Sequence, residues 1–201
     1  MPPKYRPIFL IIFAFLFALT LPGSTFGQQT AEEFLKRGKT DTIRNDWDDA
    51  VADYSKVIET DPKNTFAYTS RGFANIHQRD FNAAIADYSK AIKLKPKDAT
   101  SYYYRGLART YRGDKGDLDS AIADYTKGIK LKPNDADVYY ARGIAKGKKS
   151  DWDGAIADYS KTIAINPKYP AYRNRGDAKK AKGDQAGADA DFAQAKRLQG
   201  G

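Results

Sequence analysis

Apolar and polar residues follow one another along this chain with the period of an amphipathic helix. Ala84, Ile85, Tyr88, Ala91 and Ile92 fall at i, i+1, i+4, i+7 and i+8, a single apolar stripe on one helix face. The stripe recurs. Ala-Asp-Tyr stands at 52–54, 86–88, 123–125 and 157–159, with Ala190-Asp191-Phe192 as a fifth copy, in steps of 34, 37, 34 and 33 residues. An Arg-Gly pair keeps the same rhythm at Arg37-Gly38, Arg71-Gly72, Arg105-Gly106, Arg142-Gly143 and Arg175-Gly176. Pro62, Pro96, Pro133 and Pro167 each follow the Tyr of an Ala-Asp-Tyr by eight residues. Proline cannot continue a helix, so these mark helix exits. Asp46, Asp80, Asp117, Asp151 and Asp184 stand just before the stripe, where a short carboxylate can accept from free backbone N–H groups and oppose the helix dipole; each is expected as an N-cap.

Each unit thus reads as helix, short turn, Asp-capped helix and Pro-marked exit. One hairpin cannot bury its own apolar stripe, whereas stacked hairpins bury it continuously. The expectation is an all-α chain, an α-solenoid of about ten helices in five stacked hairpins. Their ranges are near 31–64, 65–98, 99–135, 136–168 and 169–199. The third unit carries about three extra residues, expected in its turn at Arg112 to Asp117.

The pattern resembles the tetratricopeptide repeat, whose unit has an aromatic, a Gly, an Ala, an aromatic and a terminal Pro at fixed places. Here the first aromatic is Phe34, Tyr68, Tyr102, Tyr139 and Tyr172, followed by the five glycines of the Arg-Gly pairs. The Ala is Ala50, Ala84, Ala121, Ala155 and Ala188, and the later aromatic is Tyr54, Tyr88, Tyr125, Tyr159 and Phe192. Three features depart from the family pattern: Arg replaces the usual Leu before each Gly, the aromatic usual three residues after Gly is absent, and the fifth unit lacks a closing Pro. Because Arg-Gly and Ala-Asp-Tyr co-occur in every unit, pairing is expected between units, Asp53 with Arg71 and Asp87 with Arg105.

The first segment differs in kind. Lys4 and Arg6 precede an apolar run from Ile8 to Leu19, and Pro22-Gly23-Ser24-Thr25-Phe26-Gly27 follows. The run is shorter than the ~20 residues a helix needs to cross the hydrocarbon core. Residues 1–27 therefore read as a signal peptide cleaved after Gly27, leaving 28–199 as the repeat domain of a periplasmic or secreted protein with no stable membrane span. The alternative is an uncleaved leader acting as a membrane anchor.

The chain has no cysteine and one histidine, His77, so disulfides, thiolate chemistry and sulfur-ligated zinc are excluded. Removal of Lys4 and Arg6 takes the formal charge from +9 to +7, still basic. A catalytic site needs a nucleophile or metal with an oriented acid or base, and the recurring carboxylates are explained by caps and by the repeat. No enzyme, catalytic residue, cofactor or metal is expected. Arg112-Gly113-Asp114 has the letters of an adhesion tripeptide, but Arg175-Gly176-Asp177 repeats them within a unit. Asp114, Asp117 and Asp119 lack the spacing and closing Glu of a helical calcium loop.

The resemblance implies that the first helices of successive units line a concave groove that takes an extended or helical peptide. By that implication the groove carries Phe66, Thr69, Phe73 and His77, then Tyr103, Leu107 and Tyr111, then Tyr140, Ile144 and Lys148, then Arg173. Leu35 and Lys39 precede them and Asp177 and Lys180 follow. The chaperone-binding version of the family grips a terminal carboxylate with Lys and Asn, and the corresponding places here hold Leu35, Lys39, Ser70, Thr100 and Tyr104, so acidic chaperone tails are not expected. The expected function is an exported adaptor that binds a protein or peptide. One rival is a polyanion, an acidic envelope polymer before nucleic acid, held by Lys146, Lys148, Lys149, Arg173, Lys179, Lys180 and Lys182. Another is a homodimer formed by end stacking through the Ala-rich last helix.

Overall fold

A computed structural model describes residues 30–199 apart from 168 and 169; the leader and its cleavage position lie outside the described residues. Ten α-helices, and no strands, occupy the described chain. They are α1 (Ala31–Arg44), α2 (Trp47–Thr60), α3 (Thr65–His77), α4 (Phe81–Leu94), α5 (Ala99–Arg112), α6 (Asp117–Leu131), α7 (Ala136–Lys148), α8 (Trp152–Ile165), α9 (Ala171–Ala181) and α10 (Gln185–Gln199). Each helix packs on the next. The first helices also touch in succession, α3 on α5, α5 on α7 and α7 on α9, and the second helices make no comparable contact. The layer in closest contact lies on the inside of a curved stack.

Of the five aspartates expected as N-caps, three act so: Asp80 accepts from Ala83 N–H, Asp151 from Gly154 N–H and Asp184 from Gly187 N–H. Asp46 makes no side-chain cap bond. Asp117 is the first residue of α6, not its cap, because Arg112 takes its carboxylate with bonds of 2.8 and 2.6 Å. The longer third turn lies between α5 and α6. Each hairpin turn contains a left-handed residue, Asn45, Arg79, Gly113, Ser150 and Gly183, and the longer third turn a second, Gly116. Arg79 sits there at φ 63° and is exposed, so Arg79→Gly relieves the crowding of its Cβ. The expected gain is about 0.5–1 kcal/mol, read as a rise of about 2 °C in the melting temperature.

Arg-Gly and Asp-Tyr meet within a unit, not between units. Arg71 binds Asp87 through Nε at 3.0 Å and Nη2 at 2.7 Å, Arg142 binds Asp158 at 2.9 and 2.7 Å, and Arg175 binds Asp191 at 2.9 and 2.6 Å. Arg37 with Asp53 and Arg105 with Asp124 form the same bidentate fork. Each guanidinium also lies 5.1–5.9 Å from the aromatic ring three residues earlier, from Phe34 to Tyr172. What crosses between units is the remaining nitrogen: Nη1 of Arg71, Arg105, Arg142 and Arg175 donates to Ser55, Ser89, Thr126 and Ser160 at 2.9–3.1 Å. A second rung joins Gln78 to Asp48, Arg112 to Asn82, Lys149 to Asp119 and Lys182 to Asp153.

One turn after each Arg, the sequence varies: Asp41, Asn75, Arg109, Lys146 and Lys179. Asn75 donates to Asp87 at 3.1 Å, and Arg109, Lys146 and Lys179 pair with Asp124, Asp158 and Asp191. At two of these aspartates the neighbour's charge goes with opposite shifts. Burial raises Asp87 above the usual carboxylate range despite bonds from Arg71 and neutral Asn75. Burial likewise presses on Asp191, but Arg175 together with the cation of Lys179 holds it below that range.

In the first unit the donor is replaced by a second acid. Asp41 is buried, its Oδ2 has no hydrogen-bond partner, and its pKa is raised by burial and then by Asp53, Asp49 and Asp46. A group raised in the native state stabilises it below the ordinary carboxylate range, and the contribution fades as pH rises through the raised value. Protection factors of the α1 amides, exchange rates corrected for intrinsic base catalysis, are therefore expected to fall from mildly acid to neutral pH. Asp41→Asn, which copies Asn75, should remove that dependence and add about 1 kcal/mol.

The apolar joint between units follows the same register. Trp47 and Val51, Phe81 and Ile85, Leu118, Ile122 and Ile129, then Trp152, Ile156 and Ile163 pack on the core clusters. On α10 the equivalents of the last three are Gln185, Asp189 and Lys196, all exposed. The equivalents of the bridging acceptors Asp153 and Ser160 are Ala186 and Ala193. The outer face of α10 thus lacks the apolar residues and the acceptors that the earlier second helices offer to the next hairpin.

Candidate functional site

Four positions per unit form one stripe along each first helix from the second unit onward. On α3 they are Phe66, Thr69, Phe73 and His77; on α5 Thr100, Tyr103, Leu107 and Tyr111. On α7 they are Asp137, Tyr140, Ile144 and Lys148; for the fifth unit Pro170, Arg173, Asp177 and Ala181. The stripe changes from aromatic to polar along the stack. Spacing of three and four residues places them on one face, and successive contact of α3, α5, α7 and α9 sets the stripes side by side.

The rings divide between packing and exposure. Trp47 stacks on His77 at 4.1 Å, and Phe73 meets His77 edge-on at 4.6 Å and Tyr104 at 5.7 Å. Tyr104 stacks on Tyr88 at 5.6 Å and meets Tyr103 at 5.0 Å, and Tyr103 reaches Tyr125 at 6.2 Å. A chain of rings therefore runs across the first three units. Phe73 and Tyr103 are half-buried in it, and burial pushes the Tyr103 hydroxyl up to about 12, with Asp137 adding to the shift. Tyr140 accepts from Asn174 at 2.9 Å and lies 5.8 Å from Tyr159, whose hydroxyl burial raises to about 12. Ile144 packs with Trp152 on the fourth core cluster.

Other members of the stripe remain open to solvent. Phe66 is 47% exposed beneath the Lys39 ammonium at 4.9 Å, and Tyr111 is 57% exposed, stacked on Phe81 at 5.9 Å. His77, Lys148 and Arg173 are exposed, while Thr69 and Leu107 are half-buried. Phe66 and Thr69 border a cleft of about 480 Å³ shared with Lys95, Lys97 and Asp98. Arg173 borders another with Asp177, Phe192 and Lys196. Spacing alone does not distinguish these accessible rings from those that pack between units. Trp47, Tyr104 and Asn174, which support it, carry no marker in the repeat.

The basic surface is mostly engaged within the fold. Lys146 and Lys179 pair with buried aspartates, Lys149 and Lys182 bridge units, and Lys148 reaches the Thr110 carbonyl at 3.3 Å. The arginine of Arg112-Gly113-Asp114 is held by Asp117, Asp114 and Asn82. Among the described residues no three potential ligands gather for a metal ion, and no helix is long and apolar enough to cross a membrane.

A family model described as TPR repeat matches residues 76–109 and 114–150. A crystal structure of MamA is 30% identical over 81% of this chain and 94% of that chain, with a TM-score of 0.75. The MamA fragment from Desulfovibrio magneticus RS-1 is 18% identical over 84% of this chain and 94% of that chain, with a TM-score of 0.78. YrrB, described as a TPR protein with an unusual peptide-binding site, is 18% identical over 85% and 87%, with a TM-score of 0.71. The last two share the fold. No curated protein matches in sequence.

Proposed function

Since the chain belongs to the tetratricopeptide repeat family, we propose that it is a non-catalytic adaptor that holds an extended peptide or partner segment along the inner stripe of α3, α5 and α7. Protein binding is what the family's fold supports. The placement on this face rests on one observation: Phe66 and Tyr111 remain about half exposed, Phe66 edge-on to Tyr54 and Tyr111 stacked on Phe81. Large exposed aromatics bury much area at little entropy cost and suit the centre of an interface. The peptide-binding site in the name of YrrB belongs to that protein and supports only the choice of ligand class. Export by the leader is part of the proposal, and places the partner in the cell envelope or medium.

The rival readings have less behind them. A polyanion would need free cations, and Lys146, Lys149, Lys179 and Lys182 already serve the fold. End stacking would place a second copy on the polar face of α10.

The test is capture from an envelope extract by the full chain and by Phe66→Ser with Tyr111→Ser, at low and high salt. Both residues are about half exposed and each packs on one ring, so the variant should stay folded and melt only a few degrees below the parent. A protein retained by the parent at high salt and lost by the variant is the expected result. Equal retention would remove the face from the account, and loss of everything at high salt would favour the polyanion.

A further inference from the structure

The joint between the fourth and fifth units differs from the two that lead the stack. At the first joint the face of Trp47 is covered by His77, stacked at 4.1 Å, with Phe73 at its edge. At the second, Tyr111 stacks on Phe81. In the repeat register Trp152 takes the place of Trp47 and Phe81, and the places of Phe73 and His77 fall to Asp177 and Ala181. The indole has no ring partner among the described residues. Gly147, whose missing Cβ would lie 3.7 Å from Trp152 Cζ3, leaves it open on a second side. A cleft of about 360 Å³ results, bounded by Trp152, Ile144, Tyr159, Asn174, Asp177 and Lys148. That lies at the lower end of the ~300–1,000 Å³ of small-ligand pockets.

We propose that this cleft is a subsite for one arginine side chain of the bound partner, with the guanidinium stacked on the Trp152 indole and forked onto the Asp177 carboxylate. The inference rests on the adaptor reading, and adds the chemistry of one anchor to it. Trp is the strongest cation–π face, and a planar guanidinium can stack and form paired bonds to a carboxylate at once, which an ammonium cannot. Asp177 is exposed and makes no ion pair among the described residues. An aromatic anchor would cover the indole equally well but would desolvate Asp177 with no partner. Of the nearby cations, Lys148 is turned toward the Thr110 carbonyl, and Arg173 and Lys196 border Asp177 in the neighbouring cleft without pairing with it. Asn174 is committed to the Tyr140 hydroxyl, which fixes the far wall.

The two tryptophans permit a direct reading. In the full chain labelled with nitrogen-15, the indole N–H signals of Trp47 and Trp152 are assigned with Trp47→Phe, and acetyl-arginine amide is titrated in. Acetyl-citrulline amide, similar in shape and uncharged, is the control. The expected result is a saturable shift of the Trp152 signal alone, at least about tenfold weaker with the citrulline compound, and about tenfold weaker for arginine in Asp177→Asn. An unmoved Trp47 signal reports that the variant is folded. A Trp152 signal that stays still, or that moves equally with both compounds, overturns the subsite. Capture that still depends on Phe66 and Tyr111 would then leave the adaptor reading standing; arginine binding with capture indifferent to those residues would leave the subsite and remove that reading.

Discussion

Asp124→Asn is expected to lower the stability of the chain by about 3 kcal/mol, the largest loss from any single carboxylate in the array. Asp124 is 5% exposed and receives three side-chain nitrogens, two from Arg105 and one from Arg109. The amide has the same shape but no charge, so two guanidiniums of 17% and 21% exposure are left facing each other without an anion. Partly buried cations without a counter-ion cost more than the pair itself contributed. For a chain of this length the melting temperature should fall by about 6–12 °C. Arg109→Gln added to Asp124→Asn removes one of the two cations and should restore about 1 kcal/mol. Thermal melting of the parent, the single variant and the double variant measures both. A fall of under about 2 °C would mean that the guanidiniums escape to solvent, and that the clamp orients more than it holds.

Gly106→Ala should cost about 2 kcal/mol, although alanine is the better helix former by about 1 kcal/mol. The added Cβ would lie 2.7 Å from Tyr125 Cε1 and 3.0 Å from Cδ1 and Cζ. That ring cannot retreat: it is fully buried, and its hydroxyl lies 3.1 Å from the Thr110 hydroxyl. Gly143 stands in the same relation to Tyr159, and Gly176 to Phe192. Tyr125→Leu, smaller and more flexible, should make Gly106→Ala nearly neutral in the double variant. Denaturant midpoints of the single and double variants test the coupling, and simple additivity would show that the contact is not the cause.

Much of this architecture was legible because each structural need is stated five times. Arg-Gly and Asp-Tyr mark two adjacent contacts between the same helices: the Arg takes the Asp carboxylate, and the Gly makes room for the aromatic ring. The direction of pairing was not legible. Arg71 is 16 residues from its partner Asp87 and 18 from Asp53, so sequence distance hardly separates them; the antiparallel packing of one hairpin decides. The hydroxyls of Ser55, Ser89, Thr126 and Ser160 were also repeated in plain view. Their partner is a third nitrogen of an arginine whose other two were already assigned, and so they went unread.

Asp117 failed as a cap for a local reason: the longer third turn brings Arg112 to it, and a bidentate cation outcompetes a backbone N–H. On the candidate face, spacing gave the stripe. Which rings stay exposed depends on neighbours that lie outside the repeat pattern, such as Trp47 beside His77 and Tyr104 beside Phe73.

The central claim is that the inner stripe of the first helices holds the partner. Its most direct test is hydrogen exchange of the full chain with and without a captured partner, supported by cross-linking from Tyr111 and Lys148. The account predicts slowed exchange along α3, α5 and α7, cross-links from both residues, and little change on α2, α4, α6 and α8. Protection confined to those outer helices or to α10, with no cross-link from the stripe, would contradict it.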